Sequence, residues 1–396
     1  MNTKTFDIVI VGAGLIGSAL ALALVKKSLS QGRPLSIALV ERSAQLTSNS
    51  MPNQRVIALG SVATNLLREI GVFDQLGASF ANPYQRMFVW DEHSDGKLDF
   101  NAQEHDIDKL GYMVDSVQCT LLLQDEVART SQISTYYSKA ATSFNQGSEG
   151  LTARLTLDDI ALEAPLMVAA DGASSWLRQQ AKIFANHRSY KQHGIVAKIR
   201  TEKSHQDTAW QRFLSDGPLA LLPVENNECS IVWSVKDESL EHMMQLSDAE
   251  FEIRLSQALG GKLGKVTLVT KRLAFPLVSQ QAQTYFAKNV ALVGDAAHSI
   301  HPLAGQGANL GFKDVVSLVD VLLDEPAQAL SNVGLLHRYQ RARKTDNQQT
   351  DLMMSALHHA FQGELPAWTV LRGAGMNMVD RSKTLKTFFV QQAIGK

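Results

Sequence analysis

The sequence predicts an α/β protein of two domains followed by a helical C-terminal region. Three observations predict it. Apolar runs of the kind found in buried parallel strands stand at Phe6 to Val11, Ala164 to Ala170 and Val290 to Val293, each ending on a glycine-bearing turn. Between the second and third runs the character changes. Short β-rich segments appear at Ile195 to Ile199, Ala209 to Leu214, Ala220 to Pro223 and Ser230 to Val235, then a helix from about Asp248 to Leu259 and a strand at Val266 to Lys271. That is the pattern of a mostly antiparallel sheet with its own helices. At 396 residues the chain can bury a large core and divides naturally into two domains.

Composition narrows the function classes. The chain is 45% hydrophobic and 19% charged, with a formal net charge of -1. No basic excess is available to neutralise phosphates, so no nucleic-acid partner is expected. Cys119 and Cys229 are the only cysteines and have no metal-ligand spacing, which points to a reducing compartment. His298 and His301, and the adjacent His358 and His359, lack the carboxylate cluster a metal site needs, so no metal is expected. The N-terminus enters a strand without a charged-then-apolar leader, and no apolar run is long enough to span a bilayer. The expected location is the cytoplasm, with peripheral membrane contact left open.

The first strand leads into Gly12-Ala13-Gly14-Leu15-Ile16-Gly17, an apolar helix to about Lys27, and a second strand, Ser36 to Val40, ending on Glu41. In this order Gly12 makes the tight turn and Gly14 lets a pyrophosphate approach. Gly17 lets helix and strand pack closely, and Glu41, with Arg42 beside it, can bind a ribose hydroxyl. The context on both sides makes this a Rossmann-like dinucleotide-binding unit, though the motif alone does not separate FAD from NAD. Ser28 to Pro34 reads as a surface loop. Asn53 to Leu59 comes next, with a helix from about Ser61 to Gly71; Arg55 by itself is an ordinary surface charge. Pro83 to Phe100 reads as a hairpin, and Ser143 to Gly150 as a hairpin turn. Asp171-Gly172 after the second apolar run is, alone, a common structural turn.

The stretch Asn289 to Asp314 organises the rest. Its strand ends on Gly294-Asp295, an acid at the carboxyl end of a strand, where open α/β sheets bind ligands. The glycines of the Pro302 to Gly307 loop let the backbone approach a flat ligand. A long apolar helix starts near Ala308 and runs to about Leu323; its first turn offers unpaired N–H groups and a partial positive charge. That suits a ring system holding negative charge, such as a reduced flavin. Tyr339 to Asn347 alternates charged and apolar residues, as a solvated basic face would. Leu365 to Lys396 is helical and expected to pack on the core, with membrane or partner contact as the other reading.

The ordered set Gly294-Asp295, His301-Pro302, Gly305-Gln306-Gly307 and Asn309 resembles the flavin-contacting motif of FAD-dependent group A aromatic hydroxylases. The string HPLAGQGANLGFKDV is similar to the signature of the 2-polyprenylphenol hydroxylases of ubiquinone biosynthesis. Asp171 to Arg178 fits the pattern DGxxSxxR, in which the turn sits near the pyrophosphate and the arginine braces the loop. Gln211 to Leu214 and Gly217 to Pro223 also resemble family strings, as does Trp90-Asp91. Leu110 to Val114 resembles a family segment, but Asp115 and Ser116 stand where Glu and Asn are common.

The resemblance implies an FAD-binding Rossmann-like domain (1–80, 101–185 and 275–330), an inserted β-sheet substrate domain (81–100 and 186–274) and C-terminal helices (331–396). It implies cofactor contacts at Gly12, Gly14, Gly17, Glu41, Arg42, Arg55, Gln118, Asp171, Gly172, Asp295, Gly305, Gly307, Ala308 and Asn309. Pro302 and Gly305 would line the face shared by flavin and substrate, and His298 and His301 read as loop residues near the cofactor. It further implies hydroxylation of a polyprenylated phenol with O2 and a reductant, NAD(P)H being the expected donor, with other ubiquinone-biosynthesis proteins as partners. No protein catalytic nucleophile is expected, because the chemistry belongs to the cofactor. Two other readings stay open: a same-fold flavoenzyme such as a halogenase or prenyl reductase, and a non-catalytic flavin-binding subunit.

Overall fold

The structure, a computed structural model, describes residues 2–47, 55–147, 152–300, 307–324, 329–362 and 366–394. Pro302 and Gly305, with His301, lie outside the described residues. A six-stranded sheet runs Phe286–Ala287, Val290–Leu292, Leu166–Ala169, Ile8–Val11, Ile37–Val40 and Ile133–Tyr136. All its pairings are parallel except the short hairpin at Phe286–Ala287. Val, Ile and Leu dominate these strands because both faces are covered, and Ile8, Ile10, Ile37 and Val290 are fully buried.

The helix Leu15–Ser30 follows the first strand. Alternating Ala and Leu favour a helix, and everything from Gly17 to Val25 is buried. It packs on the helix Gly307–Leu323. Lys27, near its C-terminus, reaches Asp320 at 2.8 Å and Asp324 at 2.7 Å on that second helix. The carboxylates are half-exposed, so the pair steers packing more than it stabilises.

A large antiparallel-dominated sheet lies beside this body. Its strands run His298–Ser299, Leu273–Ala282, Ala185–Thr201, Glu228–Lys236, Gly217–Pro223, Thr208–Leu214, Arg86–Asp91 and Lys97–Asn101, with Val266–Leu268 paired to one side. The helix Asp248–Ala258 covers its outer face, started by a capping box between Ser247 and Glu250. Val56–Leu59, Gly111–Asp115 and Ala81–Tyr84 form a separate three-stranded sheet. Read from the sequence, Phe275 marks a return to the first domain. Leu273–Ala282 instead stays in the large sheet, paired to Ala185–Thr201, and the chain rejoins the parallel sheet at Phe286–Leu292.

The C-terminal helices Val333–Gln362, Pro366–Arg381 and Lys383–Ile394 lie over the inner face of the large sheet. Arg372 anchors them: its Nη2 lies 2.8 Å from Asp91 on the hairpin, and both side chains are buried. Phe361 stacks on Phe213 of the sheet at 3.6 Å between ring centres.

A buried polar network joins the helix Gly307–Leu323 to its surroundings and corrects two expectations. Asp314 Oδ2 accepts the Gly294 N–H at 2.9 Å and bonds His298 Nε2 at 2.5 Å. Its Oδ1 accepts from Arg343 Nε at 2.9 Å. His298 is thus a buried partner of Asp314 on the short strand His298–Ser299, not a loop residue. Arg343 and Tyr339 are buried too, not part of a solvated face; the Tyr339 hydroxyl donates to the Leu292 carbonyl at 2.7 Å. Burial alone would raise the Asp314 carboxyl, but His298 and Arg343 outweigh it and hold it below the usual carboxylate range.

Asp314→Ala leaves the Gly294 N–H and His298 buried without their acceptor and takes from Arg343 the more buried of its two carboxylates, Asp346 remaining at 2.7 Å; it should destabilise the fold by about 3–5 kcal/mol in denaturant unfolding. The sign with pH follows from the depressed value. The stability is present above the unfolded carboxyl value of about 3.9 and is lost as the pH falls further. The gap in Tm between wild type and Asp314→Asn should therefore be full at neutral pH and close in acid.

Candidate active site

The cleft begins at the glycine turn. Gly12 holds φ at +108°, and a side-chain carbon there would meet the Ala170 carbonyl at 2.4 Å. One at Gly17 would meet the Gly12 oxygen at 1.9 Å, so the helix can start this close to the strand only with glycine there. Gly14 is different: nothing lies within 4 Å of where its side chain would stand. It is the N-cap of the helix Leu15–Ser30 and supplies no side-chain cap. The open space and the uncapped N–H groups together form a cradle for an anion.

Glu41 closes one side. Its Oε2 accepts the Ala13 N–H and its Oε1 the Ser43 N–H, both at 2.9 Å. The acid therefore braces the glycine turn while remaining partly open to the cleft; Arg42 beside it is exposed. Two residues not singled out from the sequence join them. Gln124 Nε2 donates to the Ala13 carbonyl at 2.7 Å, and its Oε1 accepts from Leu46 N–H at 2.9 Å. The Tyr137 hydroxyl has no partner among the described residues; burial, then Glu41 and Asp125, pushes it up to about 12. Gln118 stands in the first turn of the helix Ser116–Arg129, its N–H taken by Asp115 at 3.1 Å.

Asp171 turns its carboxylate onto its own chain, accepting from Ser175 Oγ at 2.5 Å and from the Trp176 N–H at 2.8 Å. What this turn offers the cleft is the open backbone at Gly172, which has φ of +82°. Arg178 is buried and donates to the carbonyls of Ala296 and Ala173, both at 2.9 Å. It ties this turn to the one bearing Asp295.

Asp295, Arg55, Gly307 and Ala308 meet around a small cavity, with Ser299 and Phe275 on the sheet side. Asp295 is crowded by protein, yet its side chain opens into the cleft. Burial pushes its carboxyl up, against the pull of Arg55 and His298. Asn309, one residue further, clamps the neighbouring strand: its Nδ2 donates to the Ala58 carbonyl and its Oδ1 accepts the Gly60 N–H, both at 2.8 Å. The motifs at Gly12, Gly172 and Asp295 thus converge on the carboxyl ends of adjacent parallel strands.

A second, larger cavity of about 470 Å³ opens between the large sheet and the C-terminal helices. Ala220 and Leu222 line both cavities, so they adjoin. The lining is apolar, with Met87, Val89 and Phe213 on the sheet and Met353, Leu357 and Met376 on the helices. The sequence marks the sheet as the substrate domain but not the helical wall opposite it. The clustering of Met and Phe between Met353 and Phe389 was the available signal.

A dinucleotide fits what is present: an anion cradle that a side chain at Gly14 would fill, an unpaired hydroxyl at Tyr137, and a helix N-terminus at Gly307 facing the small cavity. The comparisons choose among dinucleotides. The family described as FAD binding domain matches residues 5–351. The chain is 31% identical to the 3-demethoxyubiquinol 3-hydroxylase of Escherichia coli, over 100% of both chains. The chain belongs to the ubiquinone hydroxylase family of FAD-dependent monooxygenases. It is also 31% identical to a ubiquinone hydroxylase of Rhodospirillum rubrum, over 99% of this chain and 90% of that one. The crystal structure of p-nitrophenol 4-monooxygenase from Pseudomonas putida shares the fold, with a TM-score of 0.79 at 14% identity, covering 100% of this chain and 99% of that one.

The protein is an FAD-dependent aromatic monooxygenase. When bound, the flavin supplies electron transfer and oxygen activation. The Gly14 cradle, Glu41 and the Gly172 turn would hold the dinucleotide; the N-terminus of the helix Gly307–Leu323 faces the small cavity, whose sheet side, Val196, Ala220, Leu222 and Val232, is apolar. Arg55 and Asp295 set the local charge.

Gly14→Ala should fold normally, since the new carbon meets nothing, but bind FAD about tenfold or more weakly by flavin fluorescence, because the carbon occupies the cradle. Gly17→Ala should lower Tm outright. Ala308→Asp places an acid in the first turn of the helix and should lower the potential of the bound flavin. The field it opposes contributes about 0.3–1 kcal/mol, and potentiometric titration of correctly folded protein checks the direction.

Proposed function

We propose that this enzyme hydroxylates the ring of a polyprenylated phenol on the route to ubiquinone, using O2 and electrons from NAD(P)H. The observation that carries the reading is the apolar cavity adjoining the cofactor cleft. A ring held where the two cavities adjoin, against the cofactor in the small one, would leave its prenyl chain in the larger one. The cations on the larger cavity's lining are engaged: Arg372 with Asp91 at 2.8 Å, and Lys313 with Asp346 at 3.8 Å. Neither is free to bind an acidic substituent in that cavity. The named activities of the Escherichia coli and Rhodospirillum rubrum relatives support the same substrate class.

Trp368 and Leu371 line the cavity and are also exposed, so it opens there. Val370 beside them is 70% exposed. Such an apolar rim suits a membrane surface, or a partner protein of the pathway, where long prenyl tails reside. No helix among the described residues is long and apolar enough to cross a membrane.

The test is turnover of matched phenols carrying zero, one, two and three isoprene units, with oxygen-18 from O2 followed into product. Each buried CH2 contributes about 0.8 kcal/mol, so kcat/KM should climb with tail length and level off once the cavity is full. Equal or better efficiency on a tailless, carboxylated phenol would remove this reading in favour of a small hydrophilic substrate.

A further inference from the structure

One cross-strand row of the large sheet runs from the small cavity into the large one. Val196 pairs with Val232, Val232 with Ala220, Ala220 with Gln211, Gln211 with Val89, and Val89 with Leu98. Directly opposed residues point to the same face of a sheet, so the row faces the cavities together. Val196 and Val232 line the small cavity, Ala220 lines both, and Gln211, Val89 and Leu98 line the large one.

Every member of the row is apolar except Gln211. Gln211 is only 5% exposed, and its Oε1 is buried with no hydrogen-bond partner among the described residues. A buried amide without a partner is costly, and a leucine would serve the sheet better. The polar group stands beside Ala220, where the two cavities meet. A substrate ring held at that junction, against the cofactor, would have a substituent within reach of it.

We propose that Gln211 hydrogen-bonds an oxygen substituent of the substrate ring and so fixes which ring carbon is presented to the cofactor. This rests on the prenylated-phenol reading above. An amide carries both acceptor and donor atoms and can turn either toward a ligand, which matches a phenol that gives one hydrogen bond and takes another. The apolar neighbours in the row hold the ring without competing for that oxygen.

The experiment compares two ligands on the FAD-loaded enzyme: 2-geranylphenol and geranylbenzene, the same carbon skeleton without the oxygen. Binding is read from the perturbed flavin spectrum. Wild type should prefer the phenol by about tenfold, the worth of one hydrogen bond. Gln211→Leu, and the unbranched Gln211→Met if leucine packs badly, should bind both ligands alike at the hydrocarbon's affinity. Tm should be unchanged or higher, since the orphaned amide is gone, and hydroxylation should spread over more than one ring position. If wild type binds both ligands but a folded variant keeps the tenfold preference, the role of Gln211 is overturned while the substrate class stands. Wild type that binds neither ligand overturns the prenylated-phenol reading, and this inference with it.

Discussion

Asp314 leaves its helix as a fully buried carboxylate, and at that depth a charge must be surrounded by partners or not exist. The partners it takes organise the cofactor half of the molecule. The Gly294 N–H fixes the turn that aims Asp295, His298 fixes the short strand after it, and Arg343 fixes the long C-terminal helix. Arg343 extends the network to Asp346 and Asn347, and Asn347 to Tyr285. A helix held from so many directions cannot slide, so its first turn keeps one position relative to the cleft. The direction of a helix N-terminus matters only within that first turn, which makes such fixation worth its desolvation cost.

Much of the cofactor cleft was legible because its constraints are local. Gly17 must be small because of the Gly12 carbonyl five residues earlier, and strand, turn and helix follow one another along the chain. The sheet class was legible from runs buried on both faces. The Asp314 network was not, because its members stand far apart and on elements that read independently. An arginine on a helix with mixed charges looks solvated until the carboxylate facing it is known, which is why Arg343 and Tyr339 were misread. His298 was misread for the same reason. Leu273–Ala282 read as a return to the first domain, since an apolar strand carries no mark of which sheet it joins. At Glu41 the sequence indicated an acid beside a ribose; the structure adds that this acid holds the Ala13 N–H.

The two cavities divide recognition by physical type. The cofactor cleft is built from backbone, glycine and a few tethered charges, groups that impose direction. The larger cavity is built mainly from Leu, Val, Met and aromatic side chains, whose attraction has none. Met353, Met354 and Met376 can refill gaps of irregular shape with little strain. Orientation of whatever binds must therefore be settled near the junction, where the polar groups are.

The cleft is stitched from segments scattered between Gly12 and Asn309, interlocked by strand register. The helical wall of the larger cavity is instead a single terminal stretch, much of it beyond residue 351 where the family match ends. Its buried charged tether to the hairpin is the pair Arg372 and Asp91. Insertions, truncations or wholesale replacement there would leave every parallel strand in register. Such an arrangement is modular in the engineer's sense. Substrate range can diverge at one end of the chain while the redox apparatus stays as it is.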